Sequence, residues 1–398
     1  MNKNNNESRP IRHGAALVAG GAIGAGMFAL PLAGAGAWTA WTVFGLSLIC
    51  ILTISAASIL LEVHKRFELG TSFHTLVLKS FGPILAWLNN LSIVFIMLIL
   101  MYAYITAGGR VLQNSVVGVF NVESADHFAR YLPSVLFSSV IALFVWLGAG
   151  LVSRLSMLLI AMMSVSFLMV MVSLWPQMDM SILTTGDSFS RLDSLWSAIP
   201  VFVAAFACGG IVPSLVDYYN GDIGRARRSV VSGALLSLLV YAIWVLGCFA
   251  LLGQSQLASL NEQGAGLAQL LVALKAVGGK AYIVGLLNWF SHFAVITSFL
   301  SIALGLVHFL LDRFSFKHTV RSRLLATLIV FIPPTIASLI APYGFVTAIA
   351  YAGFFVAISF FIIPSLLYVK HYRWSLQATL VLLAGCLVIV LKGWKYLF

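Results

Sequence analysis

Eleven runs of about 20 apolar residues, separated by short polar breaks, constrain this chain more than any other feature. A helix needs about 20 consecutive apolar residues to cross a bilayer, and a backbone inside the bilayer must hydrogen-bond within the protein. The sequence therefore predicts an all-α polytopic membrane protein with 11 transmembrane helices. The runs cover residues 13–37, 39–62, 82–109, 131–150, 155–176, 194–218, 230–253, 281–311, 324–341, 345–369 and 375–392.

The composition excludes a water-soluble protein. Of the 398 residues, 61% are hydrophobic and 9% are charged, whereas about 25% of the residues of a soluble domain are charged. The polar breaks are too short for a separate extramembrane domain, so function must lie within the membrane. The sequence contains no HExxH, GxSxG or P-loop signature and no CxxC pair, so we expect neither an enzyme nor a metal centre.

The positive charges predict the orientation in the membrane. Short loops rich in Lys and Arg remain in the cytoplasm, and alternate loops hold most of the 23 Lys and Arg residues. We therefore expect residues 1–12 to form a cytoplasmic tail and the C-terminus to lie outside, and we expect no nucleic-acid partner. The basic residues on the predicted cytoplasmic face are Lys3, Arg9, Arg12, Lys65, Arg66, Lys79, Arg154, Arg225, Arg227, Arg228, Arg313, Lys317, Arg321, Arg323, Lys370 and Arg373.

Two of the runs are interrupted near their centres. Residues 20–26 of the first run contain four glycines, and residues 207–213 of the sixth run contain two glycines and a proline. Glycine and proline weaken a helix, and broken helices at matching positions of two halves are typical of inverted-repeat transporters. The pattern predicts discontinuous helices 1 and 6. Close helix packing through Gly20 and Gly24 is the alternative.

Such breaks favour an amino acid as the ligand. The second half of the first run begins near Ala25, where free N–H groups and the positive end of a helix dipole suit a carboxylate. The first half of the sixth run ends near residues 205–207, where free carbonyl groups suit an ammonium group. A zwitterion satisfies both ends.

Several motifs point to a known family. They are residues 21–31, 102–109, 213–215, 221–222, 227–228, 297–300, 304–306, 333–334 and 351–353. Together they resemble the hydroxy and aromatic amino acid permeases, the bacterial tryptophan/tyrosine permease group of the amino acid–polyamine–organocation superfamily. The resemblance implies a LeuT-type fold, with five-helix inverted repeats at 13–176 and 194–369 and one extra helix at 375–392.

The same resemblance implies an inner-membrane symporter that imports an aromatic, Tyr- or Trp-like, or related neutral amino acid by alternating access. A carrier of small hydroxy amino acids (Ser or Thr) and a non-transporting amino acid sensor are the alternatives. Cys208 and Gly209 depart from the family, which usually has a bulky aromatic residue and a histidine there. The predicted substrate-binding residues are Ala22, Ile23, Gly24, Ala25, Gly26, Phe28, Tyr102, Phe206, Ala207, Cys208, Gly209 and Tyr351.

The coupling ion remains open between a proton and sodium, and no other cofactor is expected. By similarity to the LeuT-type fold, a sodium ion would lie among Gly20, Ile23, Ala294, Thr297 and Ser298, although the family is best known for proton symport. Hydrogen bonds from the Thr297 and Ser298 hydroxyls to their own helix are the alternative.

One acidic residue is predicted to act at the cytoplasmic gate. Asp217 lies at the cytoplasmic end of the sixth run, where we expect it to pair with Arg225, Arg227 or Arg228 and latch the inner gate. The sequence leaves the oligomeric state open.

Overall fold

The computed structural model describes residues 10–120, 127–184, 192–313 and 319–397. Residues 1–9 of the predicted cytoplasmic tail lie outside this part. Every regular element of the described residues is a helix, which confirms the all-α prediction.

The number of candidate membrane spans is lower than predicted. Within the described ranges, eight helices are long and apolar enough to cross a membrane, and a bent pair at the start of the chain makes nine. All eleven predicted runs are helical. The fourth and eleventh correspond to shorter apolar helices, Tyr131–Leu147 and Leu376–Leu391, and these account for the difference from eleven.

The first half of the chain contains one broken helix followed by long ones. The break separates α1 from α2 and holds a short 3₁₀ turn, Ala25–Phe28. The helices are α1 (Ile11–Ala22), α2 (Ala29–Gly34), α3 (Trp38–His64), α4 (Phe73–Phe81), α5 (Pro83–Phe120), α6 (His127–Leu147) and α7 (Ala149–Leu174).

The second half follows the same order and then adds one helix. A second 3₁₀ turn, Gly209–Ile211, separates α8 from α9, and a π-helical turn, Ile358–Ile362, joins α14 to α15. The helices are α8 (Leu192–Ala205), α9 (Val212–Tyr218), α10 (Ile223–Glu262), α11 (Leu267–Gly278), α12 (Ala281–Arg313), α13 (Val320–Ile340), α14 (Phe345–Ala357), α15 (Ile363–His371) and α16 (Leu376–Leu397).

Two short helices, α4 and α11, occupy connections that the sequence did not predict to be helical. Ser72 caps α4 by accepting a hydrogen bond from the Thr75 N–H, as expected of a serine N-cap. The Gln269 side chain accepts the Gly266 N–H at the start of α11. Each short helix leads into a long helix that contacts the central cavity described below, α5 in one half and α12 in the other.

The long helices pack in two groups. In one group, α10 packs on both α1 and α3. In the other, α5, α6, α12 and α13 pack on one another. Three further pairs, α5 with α14, α7 with α12 and α8 with α14, are also closely packed.

Loops from both halves meet at the end of the molecule where α1 begins. The Glu62 carboxylate accepts hydrogen bonds from Lys65, at 2.6 Å, and from Arg227. The Tyr372 hydroxyl donates to the backbone carbonyl of Glu62 at 2.9 Å, and the Tyr219 hydroxyl donates to the carbonyl of Pro10 at 3.2 Å. The start of α1 and the loops next to α3, α10 and α15 therefore share one end of the molecule.

Replacing Gly353 with alanine is expected to destabilise the protein. A Cβ atom at Gly353 would overlap the Pro200 carbonyl, which belongs to the backbone of α8, and overpacking of this kind costs about 1–3 kcal/mol. Gly285→Ala is the matched control, because a Cβ atom there meets nothing within 4 Å. We expect thermal unfolding in detergent to show a lower midpoint for Gly353→Ala only. Equal midpoints would contradict this close approach of α14 and α8.

Candidate functional site

The first helix is broken where its glycines cluster. Helix α1 ends at Ala22, and Ile23 and Gly24 are extended, with φ angles of −73° and −171°. The chain resumes at Ala25, and the two segments are bent by 51°. Because glycine costs a helix about 1 kcal/mol relative to alanine, the glycine cluster explains why the helix ends here. The predicted break and its restart at Ala25 are confirmed.

The second break lies at the matching place in the other half. Helix α8 ends at Ala205, the 3₁₀ turn begins at Gly209, and α9 begins at Val212 with Pro213 in its first turn. Proline is tolerated there because its missing N–H has no partner in the first turn of a helix. The predicted break of the sixth run is therefore also confirmed.

One tyrosine joins the two breaks. The Tyr241 hydroxyl lies 2.6 Å from the Ala22 carbonyl oxygen and 2.8 Å from the Ala205 carbonyl oxygen. These carbonyls belong to the last residues of α1 and α8, and the tyrosine is fully buried on α10. Its single O–H is therefore within hydrogen-bond distance of two helix-end carbonyls that have no donor in their own helices, and these carbonyls share it. Sequence reasoning missed Tyr241, since nothing near it in the chain indicates a partner.

A cavity of about 430 Å³ lies where the two breaks meet α5 and α12. It extends along α1 to Leu17, towards the end of the molecule where α1 begins. Of the predicted binding and ion-site residues, those that line it are Gly20, Ala22, Gly24, Gly26, Ala207, Thr297 and Ser298.

The glycines of the first break have two different roles. A Cβ atom at Gly20, Gly21 or Gly26 would meet no atom within 4 Å, so these positions border open space. The alternative of close packing through Gly20 is therefore wrong. At Gly24, in contrast, a Cβ atom would overlap the Ser298 hydroxyl, so α12 approaches the backbone closely at this residue.

The hydroxyls of α12 are engaged in this structure. The Thr297 hydroxyl lies 2.8 Å from the Phe293 carbonyl oxygen, and the Ser298 hydroxyl donates to the Ala294 carbonyl at 2.9 Å. The structure thus shows the back-bonding alternative. The Ser298 oxygen also accepts a hydrogen bond from the Ala25 N–H at 3.0 Å. This N–H, which the sequence predicts to bind a carboxylate, therefore already has a partner within the protein. Within the described residues, the N–H groups of Gly24 and Gly26 have no hydrogen-bond partner.

Two predicted aromatic residues lie behind the cavity instead of facing it. Phe28 is fully buried, with its ring centroid 5.4 Å from that of Trp244 and 5.2 Å from that of Phe290. Phe206 is buried with its ring edge-on to Tyr241 at 5.1 Å. Neither lines the cavity, because each ring turns away from the open side of its break into the core.

The other two predicted aromatic residues lie in a separate groove. Tyr102 and Tyr351 line an apolar groove between α5, α13 and α14, and the Tyr102 hydroxyl donates to the Ala341 carbonyl at 2.5 Å. The cavity is lined instead by Tyr104. Residues two positions apart lie about 200° apart around a helix, so only one of these tyrosines can face the cavity. The sequence motif could not indicate which one.

The remaining predicted residues support the cavity without lining it. Ile23 is half-buried, and Ala25, Ala294 and Cys208 are buried. Gly209 is packed against the ring of Phe360.

Among the described residues, Asp217 forms no salt bridge with Arg225, Arg227 or Arg228, contrary to the prediction. Its carboxylate accepts the backbone N–H of Gly70 at 2.8 Å. Arg227 pairs with Glu62, and Arg225 pairs with Asp222 at 3.2 Å. The contact therefore joins the end of α9 to the loop between α3 and α4.

The whole chain was compared with known proteins. A sequence profile of the tryptophan/tyrosine permease family matches residues 7–392. The chain belongs to this family. A tryptophan-specific transport protein of Haemophilus influenzae is 36% identical to this permease. The alignment covers 91% of this permease and 87% of the H. influenzae protein. A low affinity tryptophan permease of Escherichia coli is 30% identical over 90% of this chain and 86% of the E. coli protein. A tyrosine-specific transport system of H. influenzae is 31% identical over 90% of this chain and 87% of the H. influenzae protein.

Family membership confirms the resemblance found in the motifs. Because the relatives are named as transport proteins or permeases, the prediction that this chain is not an enzyme is also confirmed. The apolar helices and the family together identify a multi-pass inner-membrane protein.

Removing the Tyr241 hydroxyl is expected to destabilise the protein at the two helix breaks. Tyr241→Phe removes the one O–H that the carbonyls of Ala22 and Ala205 share, and an unsatisfied buried polar group costs about 1–3 kcal/mol. We expect a lower unfolding midpoint in detergent. Tyr282→Phe is the control, because that side chain is 55% exposed. An unchanged midpoint for Tyr241→Phe would show that the hydroxyl bridge contributes nothing to stability.

Proposed function

We propose that this permease imports an aromatic amino acid of the tryptophan or tyrosine class by cation symport and alternating access. The proposal rests above all on one observation: the ends of two broken helices meet at a cavity of about 430 Å³. In a membrane protein, a backbone leaves its helix at depth only where other groups or a ligand satisfy it.

The backbone ends around the cavity match an amino acid zwitterion. The carbonyls of Ala22 and Ala205 are the negative ends of two helices, and an ammonium group is favoured there. The N–H groups of Gly24 and Gly26 lie on the other side of the break, where a carboxylate is favoured. In this proposal the ammonium group shares the carbonyls with the Tyr241 hydroxyl.

The side chains around the cavity favour an aromatic substrate. Tyr104 and Phe360 are the aromatic residues among its described lining, and most of the other lining side chains are apolar. The relatives are named for tryptophan or tyrosine, which supports the same class of substrate. The departure at Cys208 and Gly209 keeps small hydroxy amino acids as the alternative.

The fold that we propose is the LeuT-type arrangement of two inverted repeats, 13–176 and 194–369, with the extra helix at 375–392. Exchanging the repeats would convert the pair α5 with α14 into the pair α12 with α7, and both pairs are closely packed. The same exchange relates α1 with α10 to α8 with α3. The short helices α4 and α11 also hold equivalent places, which supports the repeat further.

Alternating access would move the group α1, α3, α8 and α10 against the group α5, α6, α12 and α13. With the N-terminus in the cytoplasm, as the charge distribution predicts, the cavity would extend from the two breaks towards the cytoplasmic side. Asp217 would then act at the cytoplasmic gate through Gly70, since this contact joins α9 to the loop after α3.

Symport would draw on either a proton or a sodium gradient. A sodium ion near Gly20, Ile23, Ala294, Thr297 and Ser298 would use carbonyl and hydroxyl oxygens, the ligands that a hard cation prefers. A hydroxyl that donates to a carbonyl keeps lone pairs for a cation, so the back-bonding of Thr297 and Ser298 is compatible with such a site.

Uptake into proteoliposomes tests the proposed function. We expect labelled tryptophan or tyrosine to accumulate when a pH gradient or a sodium gradient is imposed, with little accumulation of serine or threonine. The gradient that drives accumulation identifies the ion, and liposomes without protein are the control. Saturable binding without accumulation under either gradient would support the sensor instead, and accumulation of serine or threonine alone would overturn the substrate class.

A side chain at Gly26 is expected to abolish uptake. A Cβ atom at Gly26 would meet nothing within 4 Å, so we expect the side chain of Gly26→Leu to enter the cavity and block the carboxylate position while the protein still folds. Gly150→Leu is the matched control, because this helical glycine also has open space and lies away from the cavity. Normal uptake by Gly26→Leu would overturn the proposed carboxylate position. Gly24→Leu is a poorer test, since its overlap with Ser298 would also disturb folding.

A further inference from the structure

Phe360 is the aromatic side chain that connects the cavity to the second helix break. It lies on the π-helical turn Ile358–Ile362 and lines the cavity. Its ring is half-buried and packs against both the central hydrophobic cluster and the cluster around α9 and α15. The ring centroid is 6.0 Å from that of Phe73 on α4. Phe360 therefore forms the wall between the cavity and the core behind it.

The glycines of the second break make room for this ring. A Cβ atom at Gly209 would lie 2.6 Å from Cγ and 2.7 Å from Cδ1 of Phe360, which is too close for any real contact. A Cβ atom at Gly210 would lie 3.4 Å from Cζ. The ring thus occupies the space that a side chain at Gly209 would need. This explains in physical terms why a small residue stands at this position.

The turn that carries Phe360 is anchored to α5. The Ser359 hydroxyl donates to the Ser92 hydroxyl at 3.0 Å, and the Ser92 hydroxyl donates to the Phe355 carbonyl at 3.4 Å. Ser359 is completely buried and Ser92 is 5% exposed. A π-helical turn inserts one extra residue, which rotates the following helix by about 100°, and such turns are frequent at functional sites. The anchored turn therefore holds the ring in one place.

We propose that Phe360 selects aromatic substrates by packing against the substrate ring; this inference rests on the proposed function. Across the described lining, Phe360 and Tyr104 are the two aromatic partners that a substrate ring could contact. Aromatic pairs in offset or edge-on geometry are more favourable than their buried area alone explains. Phe360 would thus discriminate aromatic from aliphatic amino acids, while the helix ends bind the zwitterion that both share.

The selection can be measured by competition. Unlabelled phenylalanine and leucine are added separately as competitors of labelled tryptophan uptake. The half-inhibitory concentration of leucine divided by that of phenylalanine measures the preference for an aromatic ring. We expect this ratio to fall by about 2- to 10-fold in Phe360→Leu, the range that one aromatic pair contributes. Phe360→Tyr keeps the ring and is expected to keep the preference. Phe354→Leu is the matched control, because Phe354 lies on the neighbouring helix α14 and does not line the cavity.

The outcomes separate this inference from the proposed function. Wild-type protein that takes up no aromatic amino acid overturns the proposed function, whatever Phe360 does. Wild-type uptake with an unchanged ratio in Phe360→Leu overturns the selection by Phe360 alone. If Phe360→Leu does not fold, Phe360→Met gives the same test with a flexible side chain, and the same fall in the ratio is expected. Loss of preference in Phe354→Leu as well would show a general effect of packing and overturn the inference.

Discussion

The structure depends on how two broken helices satisfy their backbone groups at the centre of the protein. A carbonyl or N–H without a partner is costly inside a membrane protein, so each break needs donors and acceptors from elsewhere. Tyr241 provides one O–H donor, which the carbonyls that end α1 and α8 share. Ser298 provides an acceptor for the Ala25 N–H after the first break. These two side chains, on α10 and α12, connect the breaks to the long helices around them.

In the proposed function, this arrangement would create a binding site that is made mainly of backbone. Helix ends carry partial charges that suit the two charged groups of an amino acid, so the polar part of the site needs few charged side chains. The side chains around it can then be apolar or aromatic, as Tyr104 and Phe360 are.

The positions of the aromatic residues separate what could be predicted from what could not. Both breaks could be predicted, because glycine and proline act on the helix in which they stand. The sequence predicts Phe28, Phe206, Tyr102 and Tyr351 as binding residues, but the first two turn into the core and the last two line another groove. A sequence motif does not determine how its helix is rotated about the helix axis. A rotation by half a turn moves a side chain from the face that lines the cavity to the opposite face of the helix.

The sequence by itself determined the all-helical class, the positions of the main apolar helices, the two breaks and the family, because hydrophobicity and helix propensity are local properties of the chain. Only the tertiary structure decided which groups meet at the breaks. Ala25 and Ser298 are 273 positions apart, and Tyr241 and Ala22 are 219 apart. It likewise decided that Asp217 contacts Gly70, 147 positions away, rather than a nearby arginine. Such contacts arise from the packing of distant helices, which no local pattern specifies.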